Sequence, residues 1–107
     1  SKDLTNKIES MITSAEIPYK RGIHWTTDAG YRETWGQVMD YRDKGALCVE
    51  MEGVGLFTIA NYRKCVATGI YVVSDVYSEN DWKLGWEGND IKRAVGAVID
   101  MIIESIR

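Results

Sequence analysis

The chain has 107 residues, of which 45% are hydrophobic and 27% are charged, and its formal net charge is −3. This length allows one domain, and the negative charge argues against a general nucleic-acid or anionic-membrane surface. No apolar run reaches the roughly 18 residues of a membrane span, and the first residues do not resemble a signal peptide. We therefore expect a cytoplasmic protein.

The two cysteines, Cys48 and Cys65, lie in apolar segments without metal-ligand spacing. Such residues are usually buried, reduced thiols. With a single histidine in the chain, His24, they do not make a zinc site. We expect no metal.

The chain begins with a predicted helix followed by a predicted strand. Apolar residues at helical spacing predict a helix over residues 3–17, and Pro18 ends it. Threonine and tryptophan favour a strand over residues 23–28. This strand contains His24, and a lone histidine on a strand is more often a surface or satisfied core group than a catalyst.

A second helix and a second strand follow. Thr34 is placed to cap a helix over residues 35–44, and Gly45 is placed to close it. An apolar run then predicts a strand over residues 46–51.

The second half of the chain is more apolar. A helix over residues 54–63 is expected to be well buried, because most of its own side chains are apolar. The β-branched run over residues 65–73 predicts a central strand that is buried on both faces. A polar and aromatic loop is predicted over residues 76–88, and a last amphipathic helix follows, capped by Asn89.

This order of elements predicts an α/β fold with helices on the faces of a sheet. About three strands and four helices are visible, whereas a typical sheet has five or six strands. The chain is therefore expected to be a partial unit of a larger fold, or to pair with something.

Acidic side chains stand where two of the predicted strands end. Glu50 and Glu52 flank Met51 at one end, and Asp75 follows Ser74 at the other. Open α/β sheets bind ligands at the carboxyl ends of their strands, where carboxylates accept hydrogen bonds from hydroxyl groups. An aspartate leaving a buried strand suits protonation of a leaving group. Alternatively, the glutamates mark the strand's exit into solvent and the aspartate caps a turn.

Three segments in this order resemble the nucleoside phosphorylases of the purine nucleoside phosphorylase and uridine phosphorylase family. They are residues 26–34 (TTDAGYRET), 49–52 (VEME) and 72–75 (VVSD). The final helix also resembles the C-terminal helix of this family. The resemblance implies a three-layer αβα fold, of which residues 1–107 are a single C-terminal portion.

The resemblance also implies roles for the sugar-binding residues. Glu52 matches the glutamate that binds the ribose 2′- and 3′-hydroxyls, and Met51 matches the methionine that packs against the ribose. Glu50 is the neighbouring acid and is included with the substrate-binding residues.

For the base, the resemblance implies that Asp75 is the general acid, with Ser74 beside it as a substrate-binding residue. Tyr31 lies where the family places an aromatic ring against the base, and Arg32 is placed to hydrogen-bond a base carbonyl. The aspartate favours purines, whereas the segment around Tyr31 is of the uridine type, so the base preference stays open.

The implied reaction is phosphorolysis of a nucleoside to free base and ribose 1-phosphate, with phosphate as co-substrate and no cofactor. The family's glycine-rich phosphate turn has no match here, and Gly30 stands where the uridine-type segment has proline. We expect the phosphate residues to come from an N-terminal half or from another chain of a homo-oligomer.

Two alternatives remain. A nucleosidase of the same fold uses water and is indifferent to phosphate. A non-catalytic, self-associating module shows no turnover under any condition.

Trp82 and Trp86 are placed to cover the site, although a packing role is the simpler interpretation.

Overall fold

A computed structural model describes residues 1–78, 80–84 and 88–107, with the backbone alone at positions 82 and 84. The helices within these residues are α1 (Lys2–Ser14), α2 (Trp35–Asp43), α3 (Gly53–Tyr62) and α4 (Asn89–Ile106). The strands are β1 (Ile23–Thr26), β2 (Ala46–Glu50), β3 (Asp75–Ser78) and β4 (Asp81–Leu84). The chain divides into two compact units, one of residue 1 with Lys20–Gly69 and one of Lys2–Tyr19 with Ile70–Arg107.

The first unit is built on a parallel pair of strands. β1 pairs with β2 so that Thr26 lies opposite Glu50. Parallel strands need a crossover, and α2 supplies it. Trp25 of β1 stacks on Tyr41 of α2, with ring centroids 4.1 Å apart. The predicted positions of both strands are confirmed, although each ends one or two residues earlier than expected.

The ends of α2 follow the predicted signals. The Thr34 hydroxyl accepts the Gln37 N–H at 3.3 Å, and the Gln37 side chain accepts the Thr34 N–H, which completes a capping box. Gly45 has a φ of +90°, a left-handed conformation that glycine adopts without steric cost. Local chemistry thus fixes where this helix begins and ends.

Helix α3 forms at the expected place but is not well buried. Val54 and Ile59 are each 63% exposed, and Leu56 and Tyr62 are also exposed. A helix that is apolar on all sides is buried only when other elements pack on several of its faces. In the described part of this unit, the element available for that packing is the two-stranded sheet. The predicted burial of this helix is therefore wrong for these side chains.

The third predicted strand is also wrong. Residues 65–74 form neither helix nor strand, and the predicted loop instead contains a hairpin in which β3 and β4 pair antiparallel. A β-branched run favours extended backbone, but a strand forms only where a partner accepts its hydrogen bonds. A hairpin supplies that partner locally. Trp86 and the Trp82 side chain lie outside the described residues.

The second unit contains α1, α4 and the hairpin. α1 contacts α4, and each buries one apolar residue, Ile12 and Met101. The predicted stripe of α4 forms a helix of 18 residues that begins at Asn89, so this residue is the first of the helix and not its cap.

The four helices and the small parallel sheet of the described residues agree with the expected α/β class in partial form. Within the described ranges, no helix has the length and apolar character that crossing a membrane requires.

Candidate functional site

The Glu50 carboxylate lies at the centre of a hydrogen-bond network at the end of β2. Its side chain is 7% exposed. Oε1 accepts from the Thr26 hydroxyl and from His24 Nδ1 at 3.0 Å. Oε2 accepts the N–H groups of Glu52 at 2.8 Å and Gly53 at 2.5 Å. Burial alone would raise the pKa of Glu50, but the Thr26, backbone and His24 donors outweigh it and lower this pKa below its ordinary value.

The first residue of α3 makes room for this carboxylate. A Cβ at Gly53 would lie 2.5 Å from Glu50 Oε1 and 2.8 Å from His24 Cε1. Thr26 adds a further link, because its hydroxyl oxygen accepts the Val54 N–H at 3.2 Å. The glycine, the threonine and the carboxylate together define how the chain leaves β2 and enters α3.

Met51 and Glu52 occupy the turn between β2 and α3, and both side chains are exposed. The strand ends at Glu50, so the alternation of faces stops there and the two glutamates have different surroundings. Glu52 Oε2 accepts the Met51 N–H at 3.3 Å. The turn therefore presents one carboxylate and one thioether to solvent.

Tyr31 and Arg32 lie in a short 3-10 helix, Gly30–Arg32, which follows β1. Tyr31 is 92% exposed, and Arg32 is exposed as well. The buried Ala29 precedes this turn. Both side chains are thus free of the core, as a contact with a ligand requires.

Ser74 and Asp75 belong to the second unit. The Ser74 hydroxyl donates to Asp75 Oδ2 at 2.6 Å, and both residues are half-buried where β3 begins. Tyr31, Arg32 and the turn with Glu52 belong to the first unit. The sequence placed Asp75 after the carboxyl end of a strand, and this placement is wrong, because residues 65–74 form no strand and Asp75 begins β3. That the sugar-binding and base-binding residues share one site stays a prediction.

His24 and Thr26 are the polar residues whose importance the sequence did not reveal. The His24 ring lies 5.9 Å from that of Phe57 at 49°, besides its contact with Glu50. These two β1 residues, two apart and so on one face of a strand, line an open groove with Val54, Phe57, Thr58 and Asn61. Their spacing was a usable signal, but the partner of His24 depends on the register between the strands.

The cysteines differ in their surroundings. Cys48 is half-buried, and burial together with the nearby Glu50 charge raises the pKa of its thiol. Cys65 is exposed, so its expected burial is wrong. Among the described residues, no cluster of three histidine, cysteine or acidic side chains is arranged to hold a metal ion.

Comparison with known proteins defines the class of this protein. The model of the phosphorylase superfamily matches residues 1–104, and the chain belongs to this superfamily. Its curated relatives include a DeoD-type purine nucleoside phosphorylase of Exiguobacterium sp., 34% identical over 73 residues, which are 68% of this chain and 31% of the relative. Another is the DeoD-type purine nucleoside phosphorylase of Exiguobacterium sibiricum, 35% identical over 75 residues, which are 70% of this chain and 32% of the relative.

The matched region thus spans about a third of the length of these relatives. No solved structure gives a significant match to the chain.

Proposed function

We propose that this chain is the sugar- and base-binding portion of a nucleoside phosphorylase. The observation that carries the proposal is the turn after β2, where Met51 and Glu52 are exposed beside the half-buried hydrogen-bond network of Glu50 in a member of the phosphorylase superfamily. The reaction is attack of inorganic phosphate on a nucleoside to give free base and ribose 1-phosphate. Phosphate is a co-substrate, and no cofactor takes part.

The sugar is bound at this turn. The Glu52 carboxylate accepts hydrogen bonds from the ribose 2′- and 3′-hydroxyls, because an ionised carboxylate is an acceptor only. Met51 packs its flexible thioether against the ribose. As the glycosidic bond stretches, positive charge develops on the sugar, and a carboxylate close to it stabilises that charge.

The base is bound and protonated by the remaining residues. Tyr31 lies against its ring, and Arg32 hydrogen-bonds a carbonyl. A phosphate oxygen bonds to C1′ as the C–N bond breaks, and the electron pair of that bond passes to the base. Asp75, oriented by the Ser74 hydroxyl at 2.6 Å, donates a proton to the departing base.

The substrate class is a purine ribonucleoside. Both curated relatives are named purine nucleoside phosphorylases. An acid placed at the base also suits a purine, whose departure a proton on the ring assists. Inosine and uridine compared side by side decide between this class and the uridine type that residues 26–34 resemble.

Phosphate-binding residues are to be supplied by an N-terminal half or by another chain of a homo-oligomer. The exposed apolar side chains of α3, among them Val54, Ile59 and Tyr62, support association. The same observation favours the second candidate function, a non-catalytic module that self-associates.

The test is release of hypoxanthine from inosine by the full chain, with and without phosphate and with and without such a partner chain. Loss of two hydrogen bonds to a charged group costs about 3 kcal/mol, so Glu52→Ala is expected to lower kcat/KM on the order of 10²-fold. Glu104→Ala is the matched control, because this glutamate is exposed and pairs with Arg107 at the end of α4.

Each other outcome has a defined meaning. Equal turnover without phosphate identifies a nucleosidase. Turnover that Glu52→Ala leaves intact contradicts the proposed site, and absence of turnover under every condition supports the self-associating module.

A further inference from the structure

We propose that Glu50 is a positioning residue that holds the turn carrying Met51 and Glu52, and that it does not itself bind the ribose. The inference rests on the proposed function and assigns the two glutamates different tasks. The acid that is exposed contacts the substrate, and the acid that is buried fixes the backbone from which the first one projects.

The acceptor capacity of the carboxylate is the first argument. Each of its two oxygens has two acceptor sites, about four in all. Oε1 takes hydrogen bonds from Thr26 and His24, and Oε2 takes them from the N–H groups of Glu52 and Gly53. With a side chain 7% exposed, Glu50 has neither a free acceptor site nor an open face for a ribose hydroxyl.

The position of those donors is the second argument. Two lie on β1, and the other two are the amides of the two residues after Met51, so one carboxylate joins the strand pair to the start of α3. A negative charge there also interacts favourably with the N-terminal end of the helix dipole. The backbone of Glu52 is thereby held, which is what preorganises its side chain.

The fit at Gly53 is the third argument. A Cβ at this position would lie 2.5 Å from Glu50 Oε1, which is too close for two atoms that are not bonded. The carboxylate is held by four hydrogen-bond donors, so it cannot move aside without losing some of them. Gly53→Ala therefore displaces the carboxylate without removing its charge. It is a test independent of substitutions at Glu50 itself.

The first experiment measures how firmly the amides of the turn are hydrogen-bonded, and it does not depend on enzyme activity. We expect the Gly53 and Glu52 amide signals in ¹H–¹⁵N NMR spectra to move upfield in Glu50→Gln, and their hydrogen-exchange protection to fall about tenfold, because a hydrogen bond to a carboxylate is stronger by about 1.4 kcal/mol than one to the neutral oxygen of an amide. Glu104→Gln, an exposed glutamate elsewhere, should leave both signals unchanged. Unchanged Gly53 and Glu52 amides in Glu50→Gln would overturn the inference.

The second experiment separates positioning from contact. Thr26→Val removes a donor to Glu50, whereas Thr26→Ser keeps the hydroxyl. We expect Thr26→Val and Glu50→Gln each to lower kcat/KM for inosine on the order of 10²-fold, as for a misplacement of about 1 Å. The double variant should be no worse than the poorer single one, and Thr26→Ser should retain activity.

A ribose contact by Glu50 gives a different pattern, in which Thr26→Val stays near wild type and the losses multiply in the double variant. That pattern overturns the inference. Should the wild-type chain neither turn over nor bind inosine, the proposed function fails, while the amide signals still report whether Glu50 holds the turn. If Glu50→Gln does not fold, Gly53→Ala takes its place in both experiments, with the Glu52 amide as the signal that is read.

Discussion

The start of α3 and the remainder of the same helix differ in how completely the described unit meets their needs. At the start, these are hydrogen-bond partners, and along the remainder they are apolar contacts. At the start of the helix, the Glu50 carboxylate has a donor for each of its acceptor sites. Further along, Ile59 and Tyr62 expose apolar side chains. At one end of the helix the hydrogen bonds are complete, whereas further along the apolar side chains are not covered.

The difference follows from the distance in sequence over which each interaction is made. The donors to Glu50 come from β1 and from the two residues after Met51, all within residues 24–53. Cover for an apolar helix needs a second layer, and helices gain most of their stability from such packing. The polar frame of a site can therefore form in a unit whose apolar layers are incomplete.

Removing the Glu50 carboxylate is expected to have the largest effect on stability. Glu50→Ala leaves the Thr26 and His24 donors and two backbone amides without the acceptor that they share, a carboxylate whose side chain is 7% exposed. We expect the free energy of unfolding to fall by about 3 kcal/mol, measured by urea denaturation of the full chain. Glu52→Ala removes an exposed carboxylate from the same turn and should cost less than about 0.5 kcal/mol. Equal losses in the two variants would contradict the contrast.

Lowering the pH tests the contribution of Glu50 to the stability of the wild-type chain. The pKa of Glu50 is lowered in the folded state from its ordinary value of 4.5, so the folded chain binds this proton less readily than the unfolded chain does. The stabilisation is fully present above that ordinary value and is lost as the pH falls through the lowered one.

Urea denaturation between pH 7 and pH 3 measures this effect. Wild type should lose stability more steeply below pH 4.5 than Glu50→Gln, whose amide does not titrate. Parallel curves for the two proteins would show that Glu50 has the same pKa in the folded and unfolded states.

The parts of this fold that the sequence predicts are those set by neighbours along the chain. Thr34 and Gly45 mark the ends of α2, and the apolar stripe marks α4, because capping and helical spacing are local. Residues 65–73 have the composition of a strand but no partner strand in the described residues, and pairing is not a local property.

The candidate site divides in the same way. The exposure of Met51 and Glu52 after an apolar run follows from the end of the strand at Glu50. The tasks of His24 and Thr26 depend on the parallel register that sets Thr26 opposite Glu50. Because no single segment encodes that register, a histidine that sequence alone places among surface or core groups becomes a donor to the central carboxylate.

The smallest expected effect is at the outer face of α3. Ile59 is 63% exposed, and isoleucine and serine have similar helix propensities, so Ile59→Ser should change the free energy of unfolding by no more than about 0.5 kcal/mol. Ile12, 8% exposed in α1, is the matched control, and Ile12→Ser should cost about 2 kcal/mol or more. If Ile59→Ser costs as much as Ile12→Ser, and the loss grows with protein concentration, the face is buried in solution by a second chain. The apolar end of the helix would then be completed by association, as its polar end is completed by Glu50.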